Sequence, residues 1–225
     1  MPVYSIIIPT LNEEGNIEKL LSHLISFNED LEIIISDAGS VDDTIKLAKQ
    51  FDVTICKSMP NRGLQLNEGT KFAKGNVLIY LHADTFLPPN AFNLIQKLFT
   101  NEKVNIAAFK LCFDSNNIFM KSYCWFTKFD TMFTTFGDQA IVIKKSFLSD
   151  MGGFPNFRIF EDVEFFRRVR KKTKVYKFPQ AVVTSSRRFY KKGVILTQLL
   201  NVYFFILYLL KVDTDIIYKK YFYDK

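Results

Sequence analysis

Short apolar runs alternate with amphipathic stretches through the first third of the chain. Four runs rich in isoleucine, leucine and valine predict buried strands, at residues 3–8, 31–36, 53–56 and 76–81. After the first run, apolar residues recur at helical spacing and predict a helix whose buried face consists of Ile17, Leu20, Leu21 and Leu24. A second, glycine-containing helix is predicted at 62–73. Strands and helices that alternate at this spacing favour right-handed βαβ units in a parallel sheet.

Two helix starts are predicted from residues that cap helices. Asn12 follows the first strand and is predicted to cap the first helix. The segment 40–43 has the pattern of a capping box, so we expect it to open a helix with Val41, Ile45 and Ala48 on one face.

The second half of the chain is less regular. Strands are predicted at 104–113, 140–143 and 175–178, a helix at 161–171, and an aromatic helix or lid at 118–136. The fold class predicted is a single α/β domain with a mixed, mostly parallel central sheet flanked by helices. We expect the domain to cover residues 1–189, with an apolar and basic helical extension at 190–225.

Polar segments follow three of the predicted strands, at 9–13, 37–40 and 82–85. Ligands of such sheets bind beyond the carboxyl ends of the strands, so these segments should converge on one cleft. Asp84 would point into that cleft, where a carboxylate and a diphosphate together satisfy Mg²⁺ or Mn²⁺. The alternative is that Asp84 caps the following turn. His82 is a metal ligand, an outer partner of the site or a packed polar residue.

Other polar residues are candidates for ligand binding. Asp37 could accept hydrogen bonds from a base or ribose, or cap the loop at Gly39. Arg62 opens a helix, and both features favour phosphate, although the spacing is not that of a P-loop. Asp138 and Gln139 could hydrogen-bond a sugar. The pair Arg187–Arg188 could neutralise phosphate or remain solvated.

Glu161 and Asp162 begin a predicted helix. Adjacent carboxylates at a helix start commonly interact with the helix dipole, but one of them could be a general base that takes a proton from an acceptor hydroxyl. Side chains of neighbouring helical residues diverge by about 100°, so we expect one of the two to face the cleft.

Composition and charge narrow the class of partner. The chain has 225 residues, 48% hydrophobic and 24% charged, which suffices for one core. The net charge of +7 fits a phosphorylated ligand, an anionic membrane surface or nucleic acid, but no segment has a nucleic-acid motif, and we expect no nucleic acid partner. Three cysteines indicate reduced thiols and a cytoplasmic protein. The N-terminus lacks the pattern of a signal peptide.

The segment 194–210 is strongly apolar and is flanked by Lys191, Lys192 and Lys211. It could be an interfacial helix or partner surface, a helix packed on the domain, or a bilayer span, which needs about 20 mostly apolar residues. The first reading implies peripheral contact with the inner face of a membrane and an acceptor that is lipid-linked or membrane-proximal.

Several motifs together resemble a known family. The segments 5–14, 36–44 and 81–85, with Gly152-Gly-Phe-Pro155 and Glu161-Asp162, resemble the signatures of family 2 glycosyltransferases of the GT-A type. The LHADT, GDQAI and GGFP…EDVE motifs are similar to those of the small radical-SAM-associated or arsenosugar-biosynthesis-type members.

The resemblance implies a function and a set of roles. The chain would move a single sugar from a nucleotide-diphosphate sugar, first of all a UDP-sugar, to the hydroxyl of a lipid-linked or small-molecule acceptor. Asp84 would bind Mn²⁺ or Mg²⁺, and Glu161 or Asp162 would lie at the base position. The residues expected to bind the nucleotide sugar are Pro9, Thr10, Asn12, Glu14, Asp37, Arg62, Asn67, His82, Ala83, Asp138, Gln139 and Arg188.

The sequence also departs from the family pattern. The DxD element reads His82-Ala-Asp84, so its first acid is missing, which leaves the strength and identity of the metal open. The QxxRW motif of processive enzymes is absent, with Ser185–Phe189 in a comparable place, so we expect transfer of one sugar. One carboxylate at the base position favours inversion.

Two other classes of protein fit the sequence less well. Sugar-1-phosphate nucleotidyltransferases carry a glycine-rich basic loop after the first strand, and the segment 9–15 has no such loop. A non-catalytic nucleotide-binding or membrane-associated scaffold would explain the missing acid, but Asp84 and Glu161-Asp162 argue against it.

Overall fold

A computed structural model describes residues 3–223. Within them, the β-branched and aromatic runs form one central sheet. Its strands are Tyr4–Thr10 (β1), Leu31–Asp37 (β2), Thr54–Lys57 (β3), Val77–Tyr80 (β4), Thr85–Phe86 (β5), Ile106–Phe113 (β6), Ile141–Lys144 (β7) and Tyr176–Thr184 (β8).

Helices connect these strands and extend the chain beyond them. Their bounds are Glu14–Ile25 (α1), Thr44–Ala48 (α2), Arg62–Phe72 (α3), Ala91–Phe99 (α4), Ile118–Phe126 (α5), Lys145–Asp150 (α6), Glu161–Val169 (α7), Arg187–Lys192 (α8), Val194–Leu209 (α9) and Thr214–Tyr223 (α10). A short 3-10 turn covers Gly137–Gln139.

The sheet is mixed. Its strand order is β3-β2-β1-β4-β7-β6-β8-β5, in which β3, β2, β1 and β4 are parallel neighbours. Strand β7 runs antiparallel to both β4 and β6, and β8 runs parallel to β6. The predicted α/β class with a mixed, mostly parallel sheet is therefore confirmed. Because β7 is reversed, the turn before it lies at the same edge as the end of β4, where Tyr80 pairs with Ile141.

The core lies on both faces of the sheet. Alternate residues of β1 enter opposite clusters, with Ile6 and Ile8 on one side and Ile7 on the other. Helices α1 and α4 cover the first side, and α3 and α7 cover the second. The predicted apolar face of α1 is buried as expected. Burial on both faces explains why these strands are continuous apolar runs.

The predicted caps are wrong. Helix α1 begins at Glu14 without a side-chain cap, and Asn12 has a left-handed backbone with φ 56°. Helix α2 begins at Thr44, also without a side-chain cap, and Val41 is 90% exposed. The reason is that Asn12 and residues 40–41 bond across the two loops. Asn12 Oδ1 accepts from Val41 N and Ser40 Oγ accepts from Asn12 N, both at 2.9 Å.

Strand β8 is longer than predicted. It was predicted to end at residue 178, but it continues past Pro179, which lacks a backbone donor. The pairing with β6 shifts register around this proline, in a bulge that accommodates it. The longer strand brings Thr184 and the residues after it to the cleft edge.

The C-terminal helices pack on the domain near α7. The Phe205 ring centroid lies 5.6 Å from that of Phe133 and 5.9 Å from that of Phe160. The Tyr208 hydroxyl donates to Glu164 Oε2 at 3.0 Å. Among the helices of residues 3–223, none has both the length and the apolar composition needed to cross a bilayer.

Candidate active site

The ends of β1 and β2 carry a tightly bonded pair of loops, residues 9–14 and 36–44, called here the β1–β2 loops. Thr10 and Asp37 are register partners, and Thr10 Oγ1 donates to Asp37 Oδ1 at 2.9 Å. The backbone N–H groups of Gly39 and Ser40 each donate to Asp37 Oδ2 at 2.8 Å. Gly39 has φ 89°, which favours glycine. Asp37 thus caps its own loop, and its contact with a nucleoside stays a prediction.

Glu14 also bonds across these loops, whereas the Glu13 carboxylate accepts from Asn16 and Arg187. Glu14 Oε2 accepts from Asp43 N at 3.0 Å, and Pro9 is buried in β1. The buried Gln65 of α3 was missed by the sequence analysis. Its Nε2 donates to the carbonyls of Thr10 at 2.9 Å and Ser36 at 3.0 Å, so it joins α3 to both strand ends. Hydrogen bonds within the chain therefore join α3, β1 and β2 at this wall of the cleft.

Arg62 and His82 meet where α3 faces the end of β4. Arg62 Nη1 lies 2.7 Å from His82 Nε2. A guanidinium can only donate, so this ring nitrogen accepts and the imidazole is neutral. Burial, reinforced by the charges of Arg62 and Arg188, lowers the pKa of His82 well below its usual range. The His82 lone pair is therefore engaged by Arg62 and is not available to a metal in this arrangement.

Asp84 lies between cations and another acid. Its carboxylate is 3.5 Å from Arg187 Nη2, and the same guanidinium nitrogen donates to Glu13 Oε2 at 2.6 Å. Burial and the charge of Glu13 raise the pKa of Asp84, while Arg187 and Arg62 oppose that rise.

Three more carboxyl groups, those of Asp138, Glu161 and Asp162, surround the same space and form the acid cluster together with Asp84. Burial, and then the charges of Asp162 and Asp84, raise the pKa of Asp138 to about 7. Burial and the charge of Asp162 raise the pKa of Glu161 to about 8. Asp138 Oδ1 is buried and has no hydrogen-bond partner within residues 3–223.

Asp162 differs from its neighbours because the backbone holds its charge. Gly137 N donates to its Oδ2 at 2.6 Å and Val163 N donates to its Oδ1 at 2.7 Å. These bonds oppose the rise that burial causes in the pKa of Asp162. Burial, and then the charges of Asp138 and Asp162, raise the pKa of the Tyr123 hydroxyl on α5.

Strained backbone flanks the acid cluster. Ala140, after the 3-10 turn, has φ 49°, and Phe160, before Glu161, has φ 63°. Each such conformation costs on the order of 1–3 kcal/mol and persists where surrounding contacts hold it. The Phe160 ring is held by Tyr208 of α9, with centroids 5.0 Å apart. The C-terminal extension therefore supports the residue that precedes Glu161.

Other predicted site residues have their polar groups engaged inside the protein. Both ends of the Asn67 amide bond the backbone of Phe154, each at 2.9 Å. Gln139 donates to the Thr134 carbonyl at 2.6 Å and accepts from Lys177. Ala83 is buried in the core. Their contacts with a nucleotide sugar stay predictions.

Arg187 and Arg188 have different partners. Arg187 reaches Asp84, whereas Arg188 Nη2 donates to the Tyr221 hydroxyl at 2.9 Å. The sequence analysis named the arginine pair as a phosphate candidate but placed only Arg188 in the nucleotide-sugar site, and it did not select Glu13 or Lys177. No local signal distinguishes Arg187 from Arg188, because the pairing of β8 with β6 and β5 decides which residue enters the cleft.

The acid cluster fits a divalent cation. Raised carboxyl pKa values mean that the ionised side chains lack compensating positive charge. The buried, unpartnered Asp138 Oδ1 adds an oxygen acceptor, and Mg²⁺ and Mn²⁺ prefer oxygen ligands. Within residues 3–223 no three His, Cys, Asp or Glu side chains form a preassembled metal cage. Such a cation would therefore need ligands beyond the protein, as a diphosphate provides.

Comparison with known proteins identifies the family. Residues 5–164 match the model of "Glycosyl transferase family 2", so the chain belongs to that family. A dolichol-phosphate mannosyltransferase of Pyrococcus furiosus is 33% identical over 93 residues, which are 38% of this chain and 26% of the relative. The aligned part is thus about a quarter of that relative's length.

Solved structures support the fold. The S. aureus protein TarS (residues 1–349) in complex with UDP has a TM-score of 0.67 at 17% identity, over 82% of this chain and 60% of that one. A mannosyltransferase of Pyrobaculum calidifontis in complex with GDP-Man and Mn²⁺ has a TM-score of 0.64 at 20% identity, over 82% of this chain and 56% of that one. At these identities the likeness establishes a shared GT-A fold, as predicted.

Proposed function

We propose that this chain is a glycosyltransferase that moves one sugar from a nucleotide-diphosphate sugar, in the first place a UDP-sugar, to an acceptor hydroxyl. The observation that supports this proposal best is the acid cluster. Its buried carboxyl groups have raised pKa values and face Arg62 and Arg187 at the ligand-binding edge of the sheet. This arrangement suits a ligand whose bound cation contacts the acids and whose phosphate groups contact the arginines.

The donor would lie across the strand ends. The β1–β2 loops would hold the nucleoside, and Arg62 and Arg187 would bind the diphosphate with charge-assisted hydrogen bonds. Asp84 would hold Mn²⁺ or Mg²⁺, which would supply positive charge to the departing diphosphate. Asp138 would accept a hydrogen bond from a sugar hydroxyl through its unpartnered oxygen.

Asp162 is the better placed of the two candidate bases. Its two backbone hydrogen bonds stabilise the ionised form that a base requires, whereas Glu161 has a pKa of about 8 from burial and the Asp162 charge. Asp162 would take the proton of the acceptor hydroxyl as its oxygen attacks the anomeric carbon and the nucleotide diphosphate leaves. A single base without a second carboxylate acting as nucleophile favours inversion.

The narrower features of the proposal concern subtype and acceptor. The GDQAI and GGFP…EDVE motifs support the small radical-SAM-associated or arsenosugar-biosynthesis type. The division into a domain at 1–189 and an extension at 190–225 is part of the proposal, supported by the contacts of α9 with Phe160. We include a lipid-linked or small-molecule acceptor and a peripheral position at the cytoplasmic face of a membrane, supported by the free cysteines and the exposed apolar side of α9.

A thermal-shift panel tests the proposal. UDP, GDP, CDP and dTDP are each added with and without Mn²⁺ or Mg²⁺ to the wild type, Asp84→Asn and the control Asp150→Asn, whose side chain is exposed on α6. A ligand that binds the folded state raises the melting temperature by mass action. We expect a metal-dependent shift with one diphosphate that Asp84→Asn loses and Asp150→Asn keeps. Absence of a shift with every nucleotide would overturn the proposal in favour of a non-catalytic scaffold.

A further inference from the structure

A second concave site lies beside α5, away from the acid cluster. It is a cavity of about 490 Å³ between α5 and the strands β6 and β8. Lys121, Cys124 and Trp125 line it from one side of α5, at the i, i+3, i+4 spacing of a single helix face. None of the four acids of the acid cluster lines this cavity, and neither does Tyr123. The cavity is therefore lined by residues other than those of the proposed reaction.

The lining of this cavity is basic and apolar. Three lysines, Lys110, Lys121 and Lys128, line it, and no aspartate or glutamate does so in the part of the chain described by the structure. None of the three lysines forms an ion pair within residues 3–223. Lys128 Nζ lies 3.5 Å from the centroid of the Trp125 ring, so its charge rests on an exposed aromatic face. We call this site the lysine cavity.

Exposed aromatic side chains lie beside the cavity. Trp125, which lines it, is 56% exposed. The Trp125 ring centroid lies 5.1 Å from that of Phe126 and 5.7 Å from that of Phe129, and both phenylalanines are exposed as well. Contiguous apolar surface of this kind marks an interaction site, and aromatic residues beside lysines suit the interface of a membrane.

We propose that this face docks on an anionic phospholipid bilayer, with a lipid phosphate in the lysine cavity and the aromatic side chains at the headgroup level. Uncompensated lysines supply the charge complementarity, and their apolar stems can lie along the aromatic surface while the ammonium groups reach phosphate. A soluble phosphate would use the lysines but would leave the aromatic rim in water. Any role of this surface in catalysis rests on the membrane-proximal acceptor of the proposed function. Lipid binding itself is measured without a sugar donor and is therefore tested separately.

Vesicle flotation of the full chain tests this assignment. The protein is mixed with phosphatidylcholine vesicles that contain or lack phosphatidylglycerol. We expect binding only with phosphatidylglycerol, weakened by added salt. Lys110→Gln/Lys121→Gln/Lys128→Gln should lower the partition coefficient on the order of a hundredfold, because each lysine near an anionic surface contributes about fivefold. Since Lys110 is half-buried, the double variant Lys121→Gln/Lys128→Gln checks the result at roughly thirtyfold.

The matched control is Lys19→Gln/Lys49→Gln/Lys97→Gln, which removes the same charge from exposed positions outside the cavity. An equal loss in this control would overturn the site in favour of general electrostatics, and so would unchanged binding in the cavity variants. Binding of glycerol phosphate without any binding to vesicles would identify a soluble ligand and would also contradict the proposal. Nucleotide diphosphates should raise the melting temperature of these variants as much as that of the wild type. A defect in the donor site is thereby distinguished from a defect in lipid binding.

Discussion

The β1–β2 loops and the acid cluster lie at the same edge of one sheet, yet they differ in how far their carboxylates are compensated by the protein. In the loops, Asp37 receives hydrogen bonds from Thr10, Gly39 and Ser40. In the acid cluster, Asp138 and Glu161 have pKa values raised to about 7 and about 8, first by burial and then by neighbouring carboxylates. Asp37 is thus compensated by donors of its own loops, whereas Arg62 and Arg187 compensate the acid cluster only in part.

This difference shows where the protein should respond to ligands. Loops whose carboxylates accept hydrogen bonds from within the chain gain little from a cation and should be insensitive to pH between pH 5 and pH 8. Buried acids without matched charge are costly to ionise, so a cation or a proton changes their energy strongly. We therefore expect the β1–β2 loops to define the shape of the cleft and the acid cluster to respond to cations and protons.

The largest effect is expected when Asp162 loses its charge. Asp162→Asn should lower turnover of the donor identified by the thermal-shift panel on the order of a thousandfold, because a positioned general base contributes at this level. Affinity for the nucleotide diphosphate should stay unchanged. Release of the nucleotide diphosphate measures turnover, and thermal shift measures binding. Asp150→Asn is the control, and turnover that survives in Asp162→Asn but not in Glu161→Gln would transfer the role of base to Glu161.

A pH series tests the missing positive charge. The raised pKa of Glu161 means that its contribution to stability is fully present below the ordinary carboxyl pKa near 4.5 and is lost as pH rises through about 8. Without metal, Glu161→Gln should therefore be more stable than the wild type at pH 8, by on the order of a few kcal/mol, and the difference should shrink toward pH 5.

Denaturant unfolding at each pH, in the presence of a chelator, measures this difference. The exposed Glu18→Gln is the control and should follow the wild type throughout. A constant difference between Glu161→Gln and the wild type from pH 5 to pH 8 would contradict the account of the acid cluster.

Loss of Arg62 should weaken diphosphate binding. Arg62→Met removes a guanidinium that is fixed by His82 at 2.7 Å and whose charge acts on Glu161 and Asp162. We expect a roughly tenfold to hundredfold higher dissociation constant, because a hydrogen bond to a charged group contributes about 1.5–3 kcal/mol. Titration calorimetry measures it. Arg167→Met, which removes a half-exposed arginine paired with Glu164, should bind as the wild type does.

The smallest effect is expected in the β1–β2 loops. Thr10→Val removes the 2.9 Å hydrogen bond to Asp37, which keeps its bonds from Gly39 and Ser40. The loss should be about 1 kcal/mol of unfolding free energy and should be equal at pH 5 and pH 8. The exposed Thr100→Val is the control in the same denaturant measurements. A loss in Thr10→Val that grows with pH would mean that the two walls of the cleft are not separate.

The two halves of the site were also unequally predictable. The strand ends of the parallel half follow from apolar runs, and a parallel sheet brings the ends of its strands to one edge. The reversed β7 and the lengthened β8 carry Asp138 and Arg187 to that edge, and neither pairing has a signal in the local sequence. The caps predicted at Asn12 and residues 40–43 failed because the same side chains can satisfy either a helix end or a neighbouring loop.

The sequence by itself determined the α/β class, the buried face of α1 and the order of the polar segments. These features depend on the periodicity of apolar side chains along the backbone, which is visible within a few residues. Only the tertiary structure decided that His82 holds Arg62, that Arg187 reaches Asp84, and that the acids share one poorly compensated space. These features depend on the distances and burial of groups far apart in the chain. Electrostatic energy depends on those quantities, and no local pattern encodes them.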